Sequence, residues 1–259
     1  MPKVTFIGLG LDSERGITLE GLDAARNASS VFAEFYTNLM PNLDVANLER
    51  LVGKKVAVLN RQDIEDSHGK DVLLAAKEGD VTVLVPGDPM VATTHVALRL
   101  SLAKRGIESR IIHSASIISA VCGATGLQNY KFGRSVTLPA ESTVPKSVIQ
   151  TLVENKQRAS HTLLFLDVRI EEKAQLTIPE AVEKLRKILP ESSDWLAVGL
   201  ARVGARDQLV KAARLDRLSK QTFGGPPQVM VFPSKLHFME AEALKVFCGA
   251  EDGDLEGTA

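Results

Sequence analysis

The chain is short of several things at once. Its 259 residues include two cysteines, one tryptophan and two tyrosines, and 31 Lys+Arg against 32 Asp+Glu leave a formal net charge of −1. Cys122 and Cys248 stand far apart, with neither a C-x-x-C pair nor a Cys/His spacing. That excludes a zinc ribbon, a thioredoxin-type redox motif and a secreted disulfide scaffold, and points to a reducing compartment. A balanced charge lacks the basic excess of a general nucleic-acid binder. No run reaches about 18 uninterrupted apolar residues, and Val4-Thr5-Phe6-Ile7 opens a strand with no apolar leader before it, so a cytoplasmic protein without a membrane span is expected. Aromatics make up only 5% of a composition that is 44% hydrophobic. The core must therefore come from Leu, Val, Ile and Ala, which suits an α/β protein.

Catalytic signatures are missing too. No G-x-x-x-x-G-K-[ST] phosphate loop, H-E-x-x-H or G-x-S-x-G occurs. His68, His95, His113, His161 and His237 have no metal-ligand spacing, so structural or surface roles are expected for each and no metal site is expected.

What is present is alternation. Strand patterns at 4–7, 31–34, 56–59, 81–85 and 109–112 are separated by helical ones that start near Thr18, Asp71 and His95, with Thr18 a plausible N-cap. This predicts a parallel sheet covered by helices. Beyond it, helices at 117–122, 145–155, 179–189 and 237–247 are interleaved with strands at 161–166, 195–201, 208–210 and 228–232, a mixed α/β arrangement with hairpin-like pairing near its end. The expected division is 1–113, 114–248 and a disordered acidic tail at 249–259. Charged clusters such as Glu65-Asp66 and Glu171-Glu172-Lys173 read as solvated faces.

Two loops carry chemical interest. Gly8-Leu9-Gly10-Leu11 leaves the first strand where a dinucleotide-binding fingerprint would sit, but Ser13 occupies the place of the third glycine. It serves either as a tight strand exit or as a place where a ligand nears the backbone. Pro86-Gly87-Asp88-Pro89 closes the strongest strand, and Asp88 there either caps exposed N–H groups or accepts from a ribose hydroxyl.

With both loops placed, the sequence resembles the tetrapyrrole-methylase-like class of S-adenosylmethionine-dependent methyltransferases. Phe6-Ile7-Gly8-Leu9-Gly10 and Val85-Pro86-Gly87-Asp88-Pro89 match its two glycine turns. Val31 to Thr37, Gly87 to His95, Ser116-Ile117, Tyr130 to Gly133, His161 to Asp167 and Pro226-Pro227 are similar to the branch that modifies translation elongation factor 2. The resemblance implies two α/β domains with the donor in a cleft between them, usually as a homodimer. It implies donor contacts at Leu11, Asp88, Val91, Ser116, Ile117, Leu166, Val203 and Gln228, although related sequences often carry His in place of Gln228. The implied reaction methylates, to the trimethylammonium form, the amino group of a 3-amino-3-carboxypropyl-histidine on the elongation factor, with S-adenosyl-L-methionine as donor and no metal. The amine must lose a proton before attack, and Glu34, Tyr36 and Asp167, all beside strand ends, are the candidate acceptors. A tetrapyrrole methyltransferase sharing the donor site and a non-catalytic nucleotide-binding regulator are the alternatives. The scarcity of aromatics argues against a rich aromatic cage for the cationic product.

Overall fold

The computed structural model describes residues 3–141, 143–169 and 174–258. The chain divides into two compact units, Met1–Ile117 and Ile118–Ala259. The division falls four residues later than expected because Ser114 is tied back into the first unit. Its hydroxyl donates to the Gly16 carbonyl at 3.2 Å and its N–H approaches Asp88 Oδ2 at 3.4 Å.

The first unit runs β1 (Lys3–Gly8), α1 (Leu19–Asn27), β2 (Ser30–Glu34), α2 (Val45–Val52), β3 (Ala57–Leu59), α3 (Lys70–Glu78), β4 (Val81–Val85), α4 (His95–Lys104) and β5 (Glu108–Ile112). Its five strands lie in the order β3-β2-β4-β1-β5, and every pairing is parallel. Each β4 residue is buried, as a central parallel strand covered on both faces requires. Phe6, Val83 and Val85 pack with Val72, Leu98 and Leu102 from α3 and α4. Ile7, Leu9 and Leu84 pack on the opposite face with Leu22, Ala25, Leu48 and Val52 from α1 and α2. Thr18 caps α1 as expected, its hydroxyl accepting from the Gly21 N–H at 3.0 Å.

The strand order has a consequence for function. From β1 the chain moves to β2 on one side, and from β4 it moves past β1 to β5 on the other. The reversal lies between adjacent β1 and β4, and in open α/β sheets the carboxyl edge at such a point is where ligands bind.

The second unit contains α5 (Ile117–Thr125), which starts at the division, then β6 (Val136–Leu138), α6 (Lys146–Gln157), β7 (Thr162–Leu166), β8 (Val168–Arg169), β9 (Ala174–Gln175) and α7 (Ile178–Ile188). β10 (Leu196–Ala201), β11 (Leu209–Arg214), α8 (Leu215–Leu218), β12 (Gln228–Phe232), α9 (Phe238–Cys248) and α10 (Asp252–Leu255) complete it. Its main sheet has the order β11-β10-β12-β7-β6. The β6–β7 pair is parallel and the other neighbours are antiparallel. β10 and β11 form the expected hairpin.

The acidic segment 249–259 differs from expectation: residues 252–255 are helical, and Asp254 and Leu255 are buried. The Arg214 N–H donates to Asp254 Oδ1 at 2.9 Å, and Arg217 pairs with the same carboxylate. Composition alone gives this segment little to bury, but the Arg214 main-chain N–H and the Arg217 guanidinium receive the Asp254 carboxylate, and the Arg214 guanidinium donates to the Gly253 and Glu256 carbonyls. Glu171-Glu172-Lys173 lies outside the described residues.

Candidate active site

Three loops meet at the carboxyl edge of the first sheet. The chain leaving β1 bonds to the one leaving β4: Leu9 N–H to Val85 O at 2.8 Å, Gly10 N–H to Gly87 O at 3.2 Å and Gly87 N–H to Gly10 O at 2.7 Å. Gly10 and Gly87 sit at φ +78° and +70°, where a side chain is strained. A Cβ on Gly8 would lie 2.5 Å from the Gly87 carbonyl, 2.7 Å from Ser114 Cβ and 3.1 Å from Pro89 Cδ. The glycines are therefore needed for loop packing. Apart from its chain neighbours no atom lies within 4 Å of a Cβ built on Gly87, so glycine is required there by the positive φ and not by crowding.

Asp88 is buried in the second loop. It does not cap α4, which begins seven residues later. Its Oδ1 accepts from the Met90 N–H at 3.0 Å, while Oδ2 lies 2.7 Å from His113 Nδ1. Sequence spacing predicts only a structural or surface role for His113, just past β5. Its position one residue beyond a strand on this edge is the sequence signal that connects it to the site. Leu11, Val91 and Ile117 are half-buried and Ser116 is buried, so all five first-unit candidates lie in loops after strands or at the head of α5.

In the second unit, Leu166 ends β7, Gln228 begins β12 and Val203 follows β10. Ala201 pairs with Gln228, Phe165 pairs with Val229, and the Arg202 N–H bonds to Pro227 O at 2.8 Å. These contacts gather the three candidates at one end of that sheet. The Gln228 side chain is occupied by structure: Oε1 accepts from the Ile178 N–H at 2.8 Å and Nε2 donates to Gly224 O at 2.9 Å.

The three candidate proton acceptors have different settings. Glu34 ends β2 with a fully buried carboxylate, which accepts from the Tyr36 and Thr37 N–H groups at 3.0 and 3.1 Å and from the Thr37 hydroxyl at 2.5 Å. Burial outweighs these bonds and raises its pKa to about 7. His95 Nε2 lies 3.5 Å from Glu34 Oε1, and burial lowers the imidazole to about 4. Beside them, burial pushes the Tyr36 hydroxyl up to about 12. Asp167, in contrast, is half-buried just beyond β7 and accepts from the Ala140 N–H at 3.2 Å.

His161 has a structural role. Its Nδ1 accepts from the Ser234 N–H at 3.0 Å, leaving Nε2–H to face Glu240 at 2.9 Å. Burial alone would raise the Glu240 carboxyl, but the His237 N–H, Lys131, the Gln128 N–H and His161 together hold it at about 2. Among the described residues no group of three or more His, Cys, Asp or Glu is arranged to hold a metal ion, and no helix is long and apolar enough to cross a membrane.

The family described as Tetrapyrrole (Corrin/Porphyrin) Methylases matches residues 3–219. A diphthine synthase of Methanocella arvoryzae is 45% identical over 96% of this chain and 100% of its own length. One of Archaeoglobus fulgidus is 44% identical over 95% of this chain and 96% of its own. A crystal structure of diphthine synthase superposes with a TM-score of 0.90 at 42% identity, covering 96% of both chains. A shared backbone, together with nearly full-length identity well above that of fold likeness alone, places the protein: it belongs to the tetrapyrrole methylase family, in its diphthine synthase branch.

Proposed function

We propose that this chain transfers methyl groups from S-adenosyl-L-methionine to the amino nitrogen of a 3-amino-3-carboxypropyl-histidine on translation elongation factor 2, yielding the trimethylammonium side chain of diphthine. The observation that carries the reading is the match of 41–45% to curated diphthine synthases over almost the whole chain, joined to a glycine-lined edge at the sheet's reversal point. In each transfer the nitrogen lone pair forms the N–CH3 bond, the S–CH3 bond breaks, S-adenosyl-L-homocysteine leaves and one proton is released. The sulfonium is already a strong electrophile, so the protein's part is to position the reactants and exclude water.

On this reading Leu11, Asp88, Val91, Ser116 and Ile117 are the first unit's donor contacts, and Leu166, Val203 and Gln228 are those of the second. Gln228 contributes backbone atoms, since its side chain is engaged elsewhere. Asp167 is the proposed proton acceptor because it alone of the three candidates keeps exposed surface, whereas Glu34 and Tyr36 are enclosed. The protein works in the cytoplasm, where the elongation factor resides, and as a homodimer. Exposed Phe238, Met239, Val246 and Phe247 on α9 supply an apolar face of the kind that association covers.

The test mixes the protein with methyl-labelled donor and elongation factor 2 from cells lacking this activity. Label on the modified histidine is the expected result. Its absence, with a characterised diphthine synthase labelling the same substrate in parallel, would overturn the assignment.

A further inference from the structure

Asp88 and His113 sit on different loops of one sheet edge, and their contact spans the carboxyl end of β1. The carboxylate is buried, whereas the His113 side chain is 69% exposed. An exposed imidazole holding a buried carboxylate at 2.7 Å contributes little to the core. Ionised, each carboxylate oxygen offers about two acceptor positions. Oδ2 faces both His113 Nδ1 at 2.7 Å and the Ser114 N–H at 3.4 Å. Among the described residues Oδ1 receives the Met90 N–H alone, at 3.0 Å, which leaves one acceptor position on that oxygen.

We propose that His113 is a positioning residue for the methyl donor. By engaging Oδ2 it fixes the Asp88 carboxylate so that the spare lone pair of Oδ1 accepts from a hydroxyl or ammonium group of the donor. This rests on the reading that Asp88 contacts the donor. His113 itself touches no reacting atom. The contact is local: Gly8 admits the two loops over β1, and His113 sets the rotation of the one carboxylate between them. Without His113, the Ser114 N–H at 3.4 Å is a weak hold on Oδ2, and the carboxylate can turn away from the ligand.

The test is calorimetric titration of S-adenosyl-L-homocysteine into the full-length protein and four variants, with the ligand-free melting temperature of each. His113→Ala is expected to weaken binding about tenfold, the size of one charge-assisted hydrogen bond, while the ligand-free melting point stays within about 2 °C of wild type because the side chain is exposed. His113→Asn places an amide N–H near the position of Nδ1 and is expected to restore binding to within about twofold. Asp88→Ala and Asp88→Asn are both expected to weaken binding. If Asp88→Ala weakens binding and His113→Ala does not, the positioning role is overturned while the donor reading of Asp88 stands. If Asp88→Ala binds as wild type does, that reading fails and takes the proposal with it. A His113→Asn variant as weak as His113→Ala would also overturn it, because the hydrogen bond would then not be what matters.

Discussion

At the residue scale the buried pair Glu34 and His95 has opposed titrations. The Glu34 carboxyl is raised from 4.5 to about 7. The folded state thus holds its proton more tightly, and the stability this gives is full below pH 4.5 and is lost as pH rises through 7. The His95 imidazole is lowered from 6.5 to about 4, so its stability is full above pH 6.5 and is lost as pH falls through 4. Between pH 4.5 and 6.5 the two slopes nearly cancel. Glu34→Gln removes one of them and leaves the other. Relative to wild type, the variant is expected to lose about 2–3 kcal/mol on going from pH 6.5 to 4.5, since each tenfold difference in proton affinity between folded and unfolded chain is worth about 1.4 kcal/mol. Urea denaturation at a series of pH values measures the difference, and parallel pH profiles for the two proteins would contradict it. The sequence marks Glu34 as a residue at a strand end. It does not show that His95, 61 positions later, shares its pocket, because that proximity is created by strand order. Asp167→Asn carries a separate expectation, that methyl transfer slows by about 10²-fold or more if the side chain is the proton acceptor. A wild-type rate across pH would remove it from that role.

Among the elements, long periodic segments with clear end signals are legible, and short ones are not. The β–α alternation of the first unit follows from Val81-Thr82-Val83-Leu84-Val85 and its neighbours because a covered parallel strand is apolar throughout. α2 escapes the sequence pattern, although Asp44 caps it by accepting from the Ala46 N–H at 2.7 Å and Gly53 ends it at φ +76°. At eight residues it lies under a run of mixed polarity, and its caps speak louder than its periodicity. The three residues of β6 exist through pairing with β7, which no local pattern encodes. The carboxyl edge depends on Gly8 more than on any side chain, so Gly8→Ala tests the edge as a unit. A methyl group 2.5 Å from a carbonyl oxygen forces the β1 and β4 loops apart. Stability is expected to fall by about 1–3 kcal/mol, and S-adenosyl-L-homocysteine affinity is expected to fall more steeply than stability. An equal melting-point increment on ligand addition in variant and wild type would show that the donor does not depend on this packing.

For the whole molecule, the donor residues named by resemblance fall into two groups, each gathered by its own sheet: one at the carboxyl edge of the parallel sheet, the other where β7 and β10 end and β12 begins. The strand patterns give the class of each unit, and the resemblance supplies the residues. Neither anticipates the C-terminal segment, because a composition rule weighs Glu251-Asp252-Gly253-Asp254 without the Arg214 and Arg217 that receive it. Removal of residues 249–259 tests that reading of the chain's end. The truncation deletes the Asp254 carboxylate that accepts from Arg214 and Arg217, the buried Leu255, and the Thr258 carbonyl that accepts from the Leu236 N–H at 2.6 Å. Burial of Leu255 contributes about 1.5–3 kcal/mol and the bonds to Asp254 about 1–2 more. The truncated protein is therefore expected to unfold at lower urea concentration, by roughly 3 kcal/mol in extrapolated stability. A solvated tail would leave the denaturation curve where it is, and an unchanged midpoint in the truncated chain would return the segment to that description.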